Sequence, residues 1–232
     1  MKIAALGDSI TKGVILSADQ NYTTTAHSFT EIVSEKLGAQ IDNYGKFGST
    51  ITFGHHLLKQ HSQEIASADY TLLEYGGNDC DFHWKRIAHN PEGEHTAKTT
   101  LEEFRALYIS LIDKVRSLGS RPILLSLPPI GSKSYFSFFC RALDDDNRSN
   151  ILRWMGGDVE RIGRWHDSYN QVVFEVGAQT ATPVIDATKP FYGYSKGFDS
   201  LLCTDGIHPN AEGHRLIADA IMQSGELRIE NK

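Results

Sequence analysis

Lys2-Ile3-Ala4-Ala5-Leu6-Gly7-Asp8-Ser9 is the stretch from which the fold is read. Its apolar run fits a short buried strand, so Ser9 should stand at a strand's carboxyl end. Open α/β sheets place their ligands there. Outward from this start, short apolar runs alternate with helical patterns along the chain, the signature of βαβ units around a mostly parallel sheet.

The alternation predicts five strands, near residues 2–6, 40–44, 70–75, 122–127 and 184–186. Between them, Phe29, Ile32, Val33 and Leu37 recur at helical spacing and stop at Gly38, and a helix is expected at 55–66. Leu101, Phe104, Leu107, Tyr108, Leu111, Ile112 and Val115 mark a long amphipathic helix that stops at Gly119. Further helices are expected at 168–178 and 211–222. Residues 131–166 break the rhythm with Tyr135-Phe136-Ser137-Phe138-Phe139, the acidic run 144–146, Trp154 and Trp165. An insertion this long after a strand's carboxyl end is a lid, a binding loop or a subunit interface. A homo-oligomer therefore stands beside a lid as its reading.

At 232 residues without internal repeat or linker, a single domain spanning 1–232 is expected. The 23 basic and 29 acidic residues leave a net charge of −6, and no Lys/Arg cluster stands out, which argues against a nucleic-acid partner. Cys80, Cys140 and Cys203 are too few and scattered for a disulfide framework. They suit a reducing compartment. No basic leader, apolar signal core or bilayer-length apolar stretch is present, so no membrane span and a cytoplasmic location are expected.

A serine hydroxyl becomes a nucleophile when a base takes its proton, and an imidazole becomes that base when a carboxylate orients it. Ser9 near one end and Asp205-Gly206-Ile207-His208 near the other supply all three groups. Alone, Ser9 reads as a helix N-cap and Asp205 as another; a shared site explains both together. Acyl transfer also needs donors aimed at an oxyanion. Gly48, after the second strand, allows close backbone approach, and Asn78 in Gly76-Gly77-Asn78-Asp79 follows the third. Plain turn chemistry is the alternative for each.

Gly7-Asp8-Ser9, Gly48, Gly76-x-Asn78-Asp79 and Asp205-x-x-His208, in this order, resemble the four blocks of the SGNH hydrolase superfamily, the GDSL-type esterases and lipases. Ile10 stands where the family's leucine would be. The resemblance implies a flavodoxin-like three-layer α/β/α sandwich with strand order 2-1-3-4-5. It implies Ser9 as nucleophile, His208 as general base and then acid, and Asp205 as its orienting partner. The backbone N–H groups of Ser9 and Gly48 and the Asn78 side chain would form the oxyanion hole, while Asp8 and Asp79 hold loops. Neither metal nor cofactor is implied, and the partner is a small-molecule ester.

Rival chemistries fit less well. A phosphate-binding loop needs Gly-Lys-Ser/Thr, whereas this chain has Lys12-Gly13-Val14. His55, His56 and His61 lack zinc-ligand spacing and read as surface histidines. A binding module that kept the fold without the reaction is the non-enzymatic alternative. The substrate is expected among short-chain acyl or acetyl esters, an acetylated sugar first, with lysophospholipids and thioesters as alternatives. Trp84, Tyr135, Phe138 and Trp154 are candidates to stack on a sugar or to line an acyl pocket.

Overall fold

In chain order, the computed structural model, which describes residues 1–228, runs β1 (Lys2–Gly7), α1 (Ser9–Lys12), β2 (Val14–Leu16), β3 (Tyr22–Thr24), α2 (Phe29–Leu37), β4 (Gln40–Asn43), α3 (Ile51–Gln60), α4 (Ser62–Ala66), β5 (Tyr70–Glu74) and α5 (Trp84–His89). It continues through α6 (Leu101–Ser117), β6 (Arg121–Leu125), α7 (Ser132–Cys140), α8 (Asp145–Trp154), α9 (Arg161–Thr180), β7 (Val184–Ile185), α10 (Thr188–Tyr192), a 3₁₀ turn (Phe198–Leu201) and α11 (Ala211–Ser224).

The strands β4-β1-β5-β6-β7 form one parallel sheet, with β1 paired to β4 from Lys2↔Gln40 and to β5 from Ile3↔Tyr70. Counting only its own strands, the sheet order is 2-1-3-4-5, as expected. The apolar run of β1 follows from burial on both faces. Ala4 and Leu6 enter the core beneath α3, α4, α6 and α9, while Ile3 and Ala5 enter the core beneath α2, α10 and α11. Leu73 and Leu124 join the first core and Leu72 and Ile123 the second, so each central strand divides its side chains by the two-residue period. Each such Leu or Ile contributes roughly 1.5–3 kcal/mol when fully buried. The result is a three-layer α/β/α sandwich.

Helix ends follow local chemistry. Ser28 caps α2 by accepting from Glu31 N–H, and Gly38 closes it in the left-handed conformation. Thr100 and Glu103 form a reciprocal capping box at the start of α6. Among the described residues, no helix is long and apolar enough to cross a membrane.

Three departures from the sequence reading matter for the site. The hairpin β2–β3 was not expected, because its strands are three residues each and Tyr22–Thr24 is exposed. The helix expected at 168–178 begins instead at Arg161, since Ile162 and Trp165 extend the apolar face of Tyr169 and Val173 by the same three- and four-residue steps. The insertion folds as α7 and α8 over a small core of its own, in which Phe136, Cys140, Ile151 and Met155 pack with Ile87 and Ile162.

Candidate active site

Ser9 is the first residue of α1, at the carboxyl end of β1. The turn there is tight: a Cβ on Gly7 would lie 2.0 Å from Thr11 Oγ1 and 2.8 Å from the Glu74 carbonyl oxygen, so only glycine fits. Asp8 caps α1 by accepting from Ile10 N–H at 2.8 Å. The loop carrying Asp205 and His208 lies between the 3₁₀ turn and α11. Cys203 N–H donates to the His208 carbonyl at 2.7 Å, and Gly131 N–H ties the loop to the segment after β6 by donating to the Gly206 carbonyl at 2.7 Å.

These two loops meet. His208 Nε2 is 2.9 Å from Ser9 Oγ, and His208 Nδ1 is 2.6 Å from Asp205 Oδ2. Asp205 also accepts at 3.1 Å from the backbone N–H groups of Ile207 and His208. Burial pushes its carboxyl up, but the hydrogen bond and charge of His208 and these N–H groups outweigh it and hold the carboxyl below its usual range. Asp205 therefore stays an acceptor, so Nδ1 carries the imidazole's proton. Nε2 is left to accept the Ser9 hydroxyl. Such a line can draw the hydroxyl's proton away as the oxygen attacks.

The expected oxyanion groups border the same space. Ser9, Gly48 and Asn78 all line one cavity of about 800 Å³ that also opens on His208. Ser9 N–H lies in the first turn of α1, where no intrahelical acceptor exists. Gly48 has φ +72°, with nothing within 4 Å of an added Cβ, so its glycine serves the backbone conformation. Asn78 gives one amide hydrogen to Asp8 Oδ2 at 2.9 Å, and its second is free for another acceptor.

Behind Ser9, Asp8 meets a group that the sequence reading missed. Glu74, the last residue of β5, is buried and accepts from Thr11 Oγ1 at 2.8 Å, and its Oε1 has no donor facing it. Burial and the neighbouring Asp8 charge push Glu74 well above the usual range. Burial also raises Asp8, with the N–H of Ile10 opposing it. Of this pair Glu74 is the group pushed further towards its neutral form, and Asp8 accepts from Asn78 through Oδ2. Asp79 holds loops as expected: it accepts from Ile51 N–H through both oxygens at 3.1 Å and from Thr99 Oγ1 at 2.7 Å. Burial raises it to about 6, against the bonds from Thr99 and Ile51.

The cavity is walled mainly by aromatic and aliphatic side chains. Tyr135, Phe138, Phe139 and Ala142 form one stripe along and just beyond α7, facing Trp154, Met155 and Trp165. All four aromatic candidates from the sequence line it. Two of them turn their polar ends to Asp81, which accepts from Trp84 Nε1 at 2.7 Å and Tyr135 Oη at 2.9 Å. Lys98 balances that carboxylate at 2.8 Å. At the mouth, two further rings flank His208, Tyr22 at 5.1 Å and Phe47 at 5.9 Å between centroids. Both are unusually exposed for their size, 41% and 49%. Nothing but Phe47's place beside Gly48 could have signalled them. Among the described residues, no group of three or more His, Cys, Asp or Glu side chains is placed to hold a metal ion.

Sheet order, loop placement and the four ordered blocks define an SGNH-type hydrolase, an enzyme that cleaves esters. The chain matches the GDSL-like Lipase/Acylhydrolase family over residues 5–216 and belongs to it. A curated relative, "Uncharacterized lipoprotein YqeF" of Bacillus subtilis (strain 168), is 25% identical over 97% of this chain and 89% of its own. Among solved structures, the lipase/acylhydrolase from Enterococcus faecalis aligns with TM-score 0.69 and 22% identity over 100% of this chain and 98% of that one. The acetyl xylan esterase AlAXEase aligns with TM-score 0.64 and 18% identity over 97% and 99%. The acetylxylan esterase Axe2 from Geobacillus stearothermophilus aligns with TM-score 0.63 and 21% identity over 100% and 97%.

Proposed function

We propose that this chain acts as a single-domain serine esterase working through an acyl-enzyme. The observation that carries the proposal is the hydrogen-bonded line Ser9–His208–Asp205, opening on an apolar cavity. Ser9 Oγ attacks the ester carbonyl carbon while its proton passes to His208 Nε2, and Asp205 balances the imidazolium. The oxyanion forms against the N–H groups of Ser9 and Gly48 and the free hydrogen of Asn78, each worth about 10²–10³ in kcat. His208 returns the proton to the leaving alcohol, and water then releases the acid by the same steps.

The cavity supports a hydrocarbon acyl group of short to medium length as substrate. A space of about 800 Å³ walled by Phe82, Phe138, Phe139, Trp154 and Met155 is far larger than an acetyl group fills. The alcohol then leaves beside His208, against Tyr22 and Phe47. A second reading has one observation in its favour: that exposed aromatic pair is a platform on which a sugar ring stacks, consistent with the acetylxylan esterases among the structural neighbours. Acetyl esters of carbohydrates are that alternative.

The test is Ser9→Ala, assayed on p-nitrophenyl esters from acetate to octanoate and on acetylated xylose. Loss of kcat on the order of 10⁴–10⁶-fold in a folded variant is expected. Wild-type turnover by that variant would remove Ser9 from the chemistry.

A further inference from the structure

One polar group in the cavity wall has no part in the proposed reaction. His166, in the second turn of α9, lines the cavity with Ile162 and Trp165 and is only 3% exposed. Its Nδ1 is sealed without a hydrogen-bond partner. Burial pulls its pKa down to about 4, so the ring is neutral wherever an esterase works.

A neutral imidazole has one N–H donor and one bare acceptor nitrogen. Leaving an N–H buried and unpaired is rarer in proteins than leaving an acceptor under-satisfied. The sealed Nδ1 is therefore the bare nitrogen, and the proton lies on Nε2, the ring nitrogen left open to the cavity. The wall thus holds an unpartnered, uncharged donor among apolar side chains. Its matching ligand atom is an uncharged oxygen acceptor: an ether, hydroxyl or keto oxygen. A carboxylate or phosphate would be met instead by the cations that line other parts of the cavity, Lys98, Arg141 and Arg161; the neutral donor, beside Ile162 and Trp165, does not by itself offset a buried charge.

We propose that His166 Nε2–H is a specificity contact that selects esters whose cavity-bound group carries an uncharged oxygen besides those of the ester itself, over plain hydrocarbon esters. The proposal rests on reading this cavity as the substrate's place. A donor with no protein partner is satisfied only by what binds, and a substrate lacking that oxygen leaves it unpaired in the complex.

The test compares p-nitrophenyl esters of straight acyl chains with oxa analogues of the same length, in which one CH₂ is replaced by an ether oxygen at successive positions. An acetylated monosaccharide provides a separate arm in which the oxygens lie on the alcohol. Each kcat/KM is divided by the ester's rate with hydroxide, removing intrinsic reactivity. Wild type is expected to favour one oxa position, or the sugar ester, by about 10-fold, the worth of one neutral hydrogen bond. His166→Leu should bring that ratio to near one. Because the readout is a ratio, a general loss of activity cancels. Absence of any preference in wild type overturns the inference even if the variant does not fold, and a preference equal in both proteins overturns it too. Failure to cleave any ester would instead count against the proposed function.

Discussion

His214 illustrates how much a single residue's surroundings decide. It lies in the second turn of α11, fully buried, with its ring stacked on Phe29 at 6.2 Å. Burial, and next the nearby His208, lower its pKa to about 4. Above pH 6.5 the folded and unfolded states are both neutral at this site, and its contribution is flat. As pH falls from about 6.5 to 4, the unfolded chain takes up the proton first, and stability is lost. A shift from 6.5 to about 4 amounts to about 3 kcal/mol. Asp79, raised to about 6, runs the other way, losing stability as pH rises between 3.8 and 6. The clean readout is therefore a difference. Between pH 7 and pH 4, the unfolding free energy of His214→Leu should shift by about 3 kcal/mol in the variant's favour relative to wild type, measured by urea denaturation. A gap that stays constant with pH would show that His214 is not held neutral. No sequence pattern announces such a residue. His214 occupies an α11 position whose burial only the packing of α2 against α11 reveals.

At the scale of elements, legibility followed length and periodicity. The strand β1 and helices α2, α6 and α11 were readable because their apolar residues repeat over whole turns or runs and end at Gly38, Gly119 or a cap. The hairpin β2–β3 and helix α5 were not, being too short for a period to register. The four blocks of the candidate site were legible in Gly7-Asp8-Ser9, Gly48, Asn78 and Asp205-x-x-His208, since each is a short local motif following or flanking an apolar run. Tyr22, Phe47, Glu74 and His166 depend on contacts between distant segments. The aromatic insertion lay between these extremes: its length marked it, while the placing of its α7 side chains on the cavity wall needed the structure. Phe138 on α7 lines the cavity, approaches Tyr22 at 6.4 Å and is covered by the Arg141 guanidinium at 3.7 Å. Phe138→Ala should change the kcat/KM order across acyl lengths by roughly 10–100-fold for the chain that reaches it, mainly through KM. An unchanged order together with a shifted size-exclusion volume would make α7 an interface element instead.

For the molecule as a whole, the parallel sheet sets the site by geometry. Strands β1, β5 and β6 deliver their loops to one edge, so residues from both ends of the chain meet there. Asp79 locks the loop after β5 to the start of α3, and the bond from Gly131 to Gly206 locks the loop after β6 to the His208 loop. In the proposed reaction, preorganisation of this kind would place donors before the oxyanion forms, the usual source of most of such an enzyme's rate. The central claim is that this frame makes one hydroxyl, that of Ser9, a nucleophile. Its most direct test is intact-mass spectrometry and peptide mapping after treatment with a fluorophosphonate ester. The account predicts one adduct per chain, on Ser9, appearing in step with loss of esterase activity. Full activity without an adduct, or inactivation with the adduct on another residue, would contradict it.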